Sequence, residues 1–170
     1  MWLSQRMDHA CNWRTTASPV AREFPEVAVD EAIVDAMMAL AVRNPQRFDV
    51  IVTTNMYGDI LSDLTAELSG SLGMAGSLNA GTDHAMAQAA HGSAPDIAGQ
   101  DVANPLSLIL SGAMLLAWHG RRTKTERFEA AANAIEKAVE QAVAAKQSTR
   151  DIDGALGTRA AGEAVARALA

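Results

Sequence analysis

Apolar positions recur along this chain at two spacings, and the changes between them mark its elements. After Pro25, the residues Ile33, Met37, Leu40 and Ala41 fall on one helical face. Asp30 suits the N-cap of that helix, Val29 and Val34 suit a hydrophobic staple, and Asn44-Pro45 should end it. Residues 48–54, from Phe48 to Thr54, are β-branched and nearly continuous in apolar character, which predicts a strand covered on both faces in a parallel sheet. A second helix is expected from about Asp59 to Leu68. Glycines at 70, 73, 76 and 81 then break any helical period and suit strand edges, turns or a hinge.

The segment His91 to Pro105 holds few apolar anchors but contains Gly92, Pro95, Gly99 and Pro105, so it predicts a long loop, and long loops in compact domains usually serve function. Its end starts a helix: Asn104 suits the N-cap and Pro105 the first helical position. Leu106 to Trp118 is apolar on nearly every side, which predicts a buried helix. A longer amphipathic helix, about Glu126 to Ala145, carries Phe128, Ala132, Ile135, Val139, Ala142 and Val143 on one stripe and Glu136, Lys137 and Glu140 on the other side. After a turn at Asp151 to Gly157, a last helix runs from about Arg159 to Leu169. The opening up to about Arg22 is poorly patterned, with a break at Ser18-Pro19, and predicts no element at its start. The buried strand among helices gives an α/β class, with no internal repeats.

Composition narrows the partners. With 170 residues and 49% hydrophobic content, the chain can bury one substantial core without metal or disulfide staples. A balance of 14 basic to 20 acidic side chains, net charge −6, offers no attraction to phosphate backbones, which argues against nucleic acid. The longest apolar run, Ala113 to Trp118, is far short of the roughly 20 residues a bilayer needs, so no membrane association is expected. A lone Cys11 makes no internal disulfide, and a reducing cytoplasm is the expected location.

Two constellations could carry chemistry. The first is Asn55-Met56-Tyr57-Gly58-Asp59-Ile60-Leu61-Ser62-Asp63, where a strand end turns into a helix, the place where open α/β sheets bind ligands. Asp59 and Asp63, four apart, share a helix face at a separation that one hard divalent cation can bridge; a solvated acidic helix start is the plainer alternative. Asp35 lies off the apolar stripe of the preceding helix, either as a third oxygen ligand or as an exposed polar position. The second constellation is His91-Gly92-Ser93-Ala94-Pro95-Asp96-Ile97-Ala98-Gly99. Its glycines let backbone approach a ligand, Pro95 stiffens the loop, and Asp96 can accept both hydroxyls of a ribose. Neither G-x-G-x-x-G nor G-x-x-x-x-G-K-[ST] occurs. His9, His84 and His119 have no carboxylate or serine partner in view, so a hydrolase triad is unsupported.

These two stretches, together with Gly70-Ser71-Leu72-Gly73, Ala103-Asn104-Pro105 and a Gly157-Thr158 turn, closely resemble in order and spacing the isocitrate/3-isopropylmalate dehydrogenase family, metal-dependent β-decarboxylating enzymes that include tartrate dehydrogenases. The resemblance runs from about Glu23 to the C-terminus and implies the C-terminal portion of that fold, a mixed sheet flanked by helices. Residues 1–69 would be part of the smaller, dimer-forming domain and 70–170 the returning half of the NAD-binding domain. It implies that Asp59 and Asp63 ligate Mg²⁺ or Mn²⁺, with Asp35 reaching the same ion from the other copy of a homodimer. It further implies that His91, Gly92, Ser93, Ala94, Pro95, Asp96, Ile97 and Asn104 hold the dinucleotide, with His91 and Asn104 near the adenine and Asp96 on the ribose. Since NADP-using relatives carry lysine and tyrosine where Asp96-Ile97 stands, NAD is the implied cofactor and a small 2-hydroxy acid the implied substrate.

The sequence also departs from the family pattern. Trp2 or Leu3 falls where the family has its catalytic lysine, no counterpart of its catalytic tyrosine is present, and Gln88 replaces a common glutamate. No catalytic residue is therefore assigned. A chain truncated relative to the family, with exposed apolar surface around Leu106 to Trp118 and low stability, is expected. A non-catalytic remnant that binds nucleotide or a full-length paralogue is the alternative.

Overall fold

A computed structural model of the chain describes residues 2–4 and 19–169. The chain divides into two compact units, Met1–Leu68 and Ser69–Ala170. In the first, strands β1 (Trp2–Ser4), β2 (Asp30–Ala32) and β3 (Ile51–Val52) form a parallel sheet in the order β2-β1-β3. Trp2 stands opposite both Asp30 and Ile51 in register. The helices α1 (Val34–Arg43) and α2 (Asn55–Ser69) complete the unit. Met37, Ala41 and Leu61 are buried together, with Ala32, Met38, Phe48, Ile51 and Leu64 packed around them. This is the helical stripe of α1 closing on the apolar side of α2 and the end of β3.

Four local expectations change in this unit. Asp30 does not cap α1: it lies in β2, paired with Arg47 at 3.7 Å, and Ile33 occupies the cap position without a side-chain hydrogen bond. Parallel pairing with β1 takes the residues that would otherwise extend the helix. β1 itself sits in the opening segment for which the local pattern predicts no element, because its pairing comes from distant partners. Strand β3 is only two residues long, and Val50 beside it is 55% exposed, so parallel pairing is present but full cover is not. Finally, α2 starts at Asn55, one turn before Asp59. The Ser18-Pro19 break begins outside the described residues; residues 19–22 form a helical turn.

In the second unit, β4 (Gly76–Ala80) and β5 (Ala85–Ala89) form an antiparallel hairpin. The N–H of Gly81 donates to the carbonyl of His84 across the turn. No alternation in the sequence marks β5. Helix α3 (Leu106–Thr123) packs on the hairpin, α4 (Glu126–Ala144) packs on α3, and α5 (Thr158–Ala168) packs on α4. Their shared core is Leu106, Ala138, Val139, Ala142 and Val165, with Met74, Ile109, Leu110, Val143 and Ile152 against it. The amphipathic stripe of α4 thus faces α3 and α5. Helix α3 is buried on one side only. Leu108 and Met114 reach out at 60% and 37% exposure, since α4 and the hairpin alone cannot cover a helix that is apolar nearly all round.

Small residues set how closely α3 approaches its neighbours. A Cβ on Gly76 would stand 2.9 Å from Met114 Sδ and 3.2 Å from the Ser111 nitrogen. One on Gly120 would stand 2.7 Å from Glu129 Cγ. At that distance the hairpin's backbone groups face a helix instead of water, and they need partners. Ser107 and Ser111, both fully buried, supply them. Ser107 Oγ donates to the Ala75 carbonyl and accepts from the Ala90 N–H. Ser111 Oγ accepts from the Ser77 N–H at 2.9 Å and shares its single hydrogen between the carbonyls of Gln88 (2.6 Å) and Ser107 (2.7 Å).

Replacing Ser111 by alanine strands the Ser77 N–H and the Gln88 carbonyl inside this interface, and should lower the stability of the chain by about 1–3 kcal/mol. Urea unfolding measures it, with Thr123→Ala as an exposed control expected within about 0.5 kcal/mol of wild type. Equal midpoints for Ser111→Ala and wild type would contradict the role given to the serine.

Candidate functional site

The two acidic residues of the first constellation sit on one face of α2, one turn apart and exposed. Asn55 Nδ2 donates to Asp59 Oδ2 at 3.1 Å. Among the described residues no cation pairs with Asp59, Asp63 or Asp35. Asp35 is exposed in the first turn of α1, where its Oδ1 accepts the N–H of Ala36 at 2.6 Å. No group of three histidine, cysteine or acidic side chains among the described residues could enclose a metal ion within one chain. Two like charges left unneutralised at i and i+4 are mildly destabilising by themselves. Asp59 and Asp63 therefore offer the chemistry of half a hard-cation site, with room for oxygen ligands from elsewhere.

The second constellation folds around a cleft of about 1110 Å³ within the second unit. Of the residues the family resemblance assigns to the dinucleotide, His91, Gly92, Ser93, Ala94, Ile97 and Asn104 line it. Pro95 and Asp96 belong instead to the short helical turn Pro95–Ile97 and are exposed outside the lining. Ala94 takes a left-handed φ of 41° to enter that turn, and Gly99 leaves it at φ 76°, a conformation glycine adopts without strain. Gly92 has open space where a Cβ would stand.

The opposite walls come from residues that sequence reasoning missed, chiefly Gly73, Asp101, Asp151, Thr158 and Arg159. Asp101, at φ 57°, accepts the Thr158 N–H on its carbonyl and the Arg159 N–H on Oδ1, each at 3.0 Å. Asp101 thereby occupies the first two N–H groups of α5 and sets a negative charge against the positive end of that helix. A Cβ on Gly157 would collide with Asp101 Oδ2 at 2.2 Å, which is why a glycine precedes this helix. The Gly70–Gly73 motif and the Gly157-Thr158 pair are the visible signals for these walls; an aspartate in a turn gives none for Asp101 or Asp151.

Asp151 ties the cleft floor together. Ser71 Oγ donates to its Oδ2 at 2.6 Å, Asn104 Nδ2 donates to the same oxygen at 2.9 Å, and Thr149 Oγ1 donates to Oδ1 at 2.6 Å. Partial burial pushes its carboxyl up. The hydrogen bonds from Ser71, Thr149 and Asn104 and from its own backbone outweigh that and hold it below the ordinary carboxylate range. Asn104 also works locally: its Oδ1 accepts the Leu106 N–H at 2.9 Å, with Pro105 already in helical geometry. The expected cap of α3 is thus present, and the same side chain lines the cleft.

Because folding lowers this pKa, Asp151 contributes stability that is fully present above the unfolded value of about 3.9 and is lost as the pH falls through the folded value. The difference in unfolding free energy between wild type and Asp151→Asn should be constant near neutrality and shrink below about pH 4. Urea melts across pH check this, and a difference that stays constant to the acid limit would contradict it.

The sequence profile of the family described as Isocitrate/isopropylmalate dehydrogenase matches residues 4–165. The 3-isopropylmalate dehydrogenase of Hahella chejuensis is 49% identical over 164 residues, covering 93% of this chain and 44% of that protein. The isocitrate/homoisocitrate dehydrogenase of Thermus thermophilus is 47% identical over 154 residues, 91% of this chain and 44% of that protein. The crystal structure of isocitrate dehydrogenase from Methylococcus capsulatus superposes with a TM-score of 0.83 at 39% identity, over 99% of this chain and 50% of that one. The chain thus spans about half the length of the relatives it matches or less, and it belongs to the isocitrate/isopropylmalate dehydrogenase family.

Proposed function

We propose that this chain carries the metal-ligand helix and the adenosine side of the cofactor cleft of an NAD-dependent dehydrogenase that oxidatively decarboxylates a small 2-hydroxy acid. The observation that carries it is the 91–104 loop wrapped around a cleft of about 1110 Å³, large enough for a nucleotide, in a chain of this family. His91 and Asn104 would flank the adenine. Asp96, exposed on the turn that follows Ala94, would accept the ribose hydroxyls, and its charge disfavours an added 2′-phosphate, which supports NAD over NADP.

Asp59 and Asp63 would hold Mg²⁺ or Mn²⁺, with Asp35 of a second copy completing the carboxylate set in a homodimer. The unpaired charges on α2 fit that assignment. Such an ion, when bound, polarises the substrate hydroxyl and stabilises the negative charge that develops on its oxygen. In this scheme the chain's own carboxylates fix the position of the charge, while the 91–104 loop orients the dinucleotide. Residues 1–69 would belong to the dimer-forming domain and 70–170 to the cofactor domain, in a cytoplasmic enzyme. The names of the relatives point to isopropylmalate, isocitrate or a homologue as substrate, with tartrate in the same chemical class. No membrane partner is proposed, and no helix among the described residues is long and apolar enough to cross a bilayer.

Calorimetric titration with Mn²⁺ should give a binding isotherm for wild type that disappears in the Asp59→Asn/Asp63→Asn double variant; identical isotherms would remove the metal assignment. Activity is tested by complementation. NADH formation after mixing this chain with a separately expressed N-terminal half of a relative supports the dehydrogenase, and its absence with nucleotide binding intact supports a non-catalytic nucleotide-binding chain or a partner for a full-length paralogue.

A further inference from the structure

Asn104 is only 9% exposed, lines the cleft, and is gripped by both ends of its amide. Oδ1 accepts the Leu106 N–H and Nδ2 donates to Asp151 Oδ2, both at 2.9 Å. One Nδ2 hydrogen is left with no acceptor among the described residues. A buried amide hydrogen without a partner is costly unless something else supplies one. Turning the amide over would set Oδ1 against a carboxylate and the NH₂ group against a backbone N–H, an acceptor facing an acceptor and a donor facing a donor. A single orientation therefore survives.

Asp151 can enforce this because it is itself immobilised. Ser71 and Thr149 hold its two oxygens, and being ionised it accepts only. Gly73 lets the pair sit close beneath the preceding turn: a Cβ there would stand 2.6 Å from Asn104 Cβ and 3.0 Å from Asp151 Oδ2.

We propose that Asp151 is a positioning residue for base recognition: by binding one Nδ2 hydrogen of Asn104 and locking the amide, it reserves the other as a donor to a ring-nitrogen acceptor of a bound purine. The proposal rests on the cleft being the adenosine site. A simple buttress joining the Ser71, Asn104 and Thr149 segments would need the hydrogen bonds but not the orientation of the amide, and that difference is measurable.

Two readouts separate them in the full chain. Without ligand, the side-chain NH₂ of Asn104, assigned by its loss in Asn104→Asp, should give two widely separated proton resonances in wild type. The separation should shrink in Asp151→Asn. With AMP as probe, Asp151→Asn should weaken calorimetric binding by about tenfold, the value of one hydrogen bond. The exchange variant Asn104→Asp/Asp151→Asn keeps an acceptor for the Leu106 N–H and a reversed bond between the two positions. It should melt within a few degrees of wild type yet bind AMP at least as weakly as Asp151→Asn. Wild-type affinity in the exchange variant, or an unchanged NH₂ pair and unchanged affinity in Asp151→Asn, would overturn the proposal. Failure of wild type itself to bind AMP would overturn the adenosine reading and base recognition with it, while the NH₂ pair would still report whether Asp151 locks the amide.

Discussion

A helix that lies directly on a two-stranded hairpin traps backbone N–H and carbonyl groups where water cannot reach them, and each must find a partner inside the protein. In the second unit Ser107 and Ser111 of α3 meet that demand for the hairpin, while Asn104, just before α3, meets it for the helix's own Leu106 N–H. Asn104, Ser107 and Ser111 are spaced three and four apart and form a polar seam on an otherwise apolar helix. The seam fixes where α3 begins, how near it comes to β4 and β5, and where the cleft floor lies. Its first member is shared between the fold and the site. The hydrogen bond that caps α3 also fixes a side chain that lines the cleft.

The first unit obeys a different constraint. Its sheet is assembled from three short strands far apart in sequence, and its core is small, with Met37, Ala41 and Leu61 as its buried centre. Exposed apolar residues on both its helices and beside β3, including Val42, Val50, Met56 and Ile60, are left without cover. The carboxylates proposed for metal binding stand on the same helix, α2, as Met56 and Ile60. An ion shared between two copies would join their charges and their apolar faces in one event.

How much could be seen in the sequence follows from how local each cause is. Helices α3, α4 and α5 and the end of α1 were legible to within a residue or two at most boundaries, because stripes, a capping Asn104 and breakers such as Asn44-Pro45 act over a few residues. The length of α3 beyond Trp118 was not. Strands β1, β2 and β5 were not legible either: Trp2–Ser4 owes its state to partners dozens of residues away, Ala85–Ala89 pairs with a near neighbour but carries no apolar–polar alternation to mark it, and Asp30 looks like a helix cap until β1 is beside it. One wall of the cleft was visible in the His91–Gly99 motif and the family resemblance. Asp101 and Asp151 stayed hidden because an aspartate in a turn has an ordinary local explanation, and only the fold brings Asp151 to Ser71 and Asn104, 80 and 47 residues away in sequence.

The proposed function requires a nucleotide in the cleft whose floor is the Asn104–Asp151 pair. The most direct measurement is a backbone amide chemical-shift map of the chain titrated with NAD⁺. Saturable shifts should concentrate at Gly73, Gly92, Ala94, Asn104, Asp101 and Thr158, on the walls formed by the Leu72–Met74 turn, the 91–104 loop and the start of α5. Shifts clustered on the outer faces of α4 and the β4–β5 turn, or none at saturating NAD⁺, would contradict it.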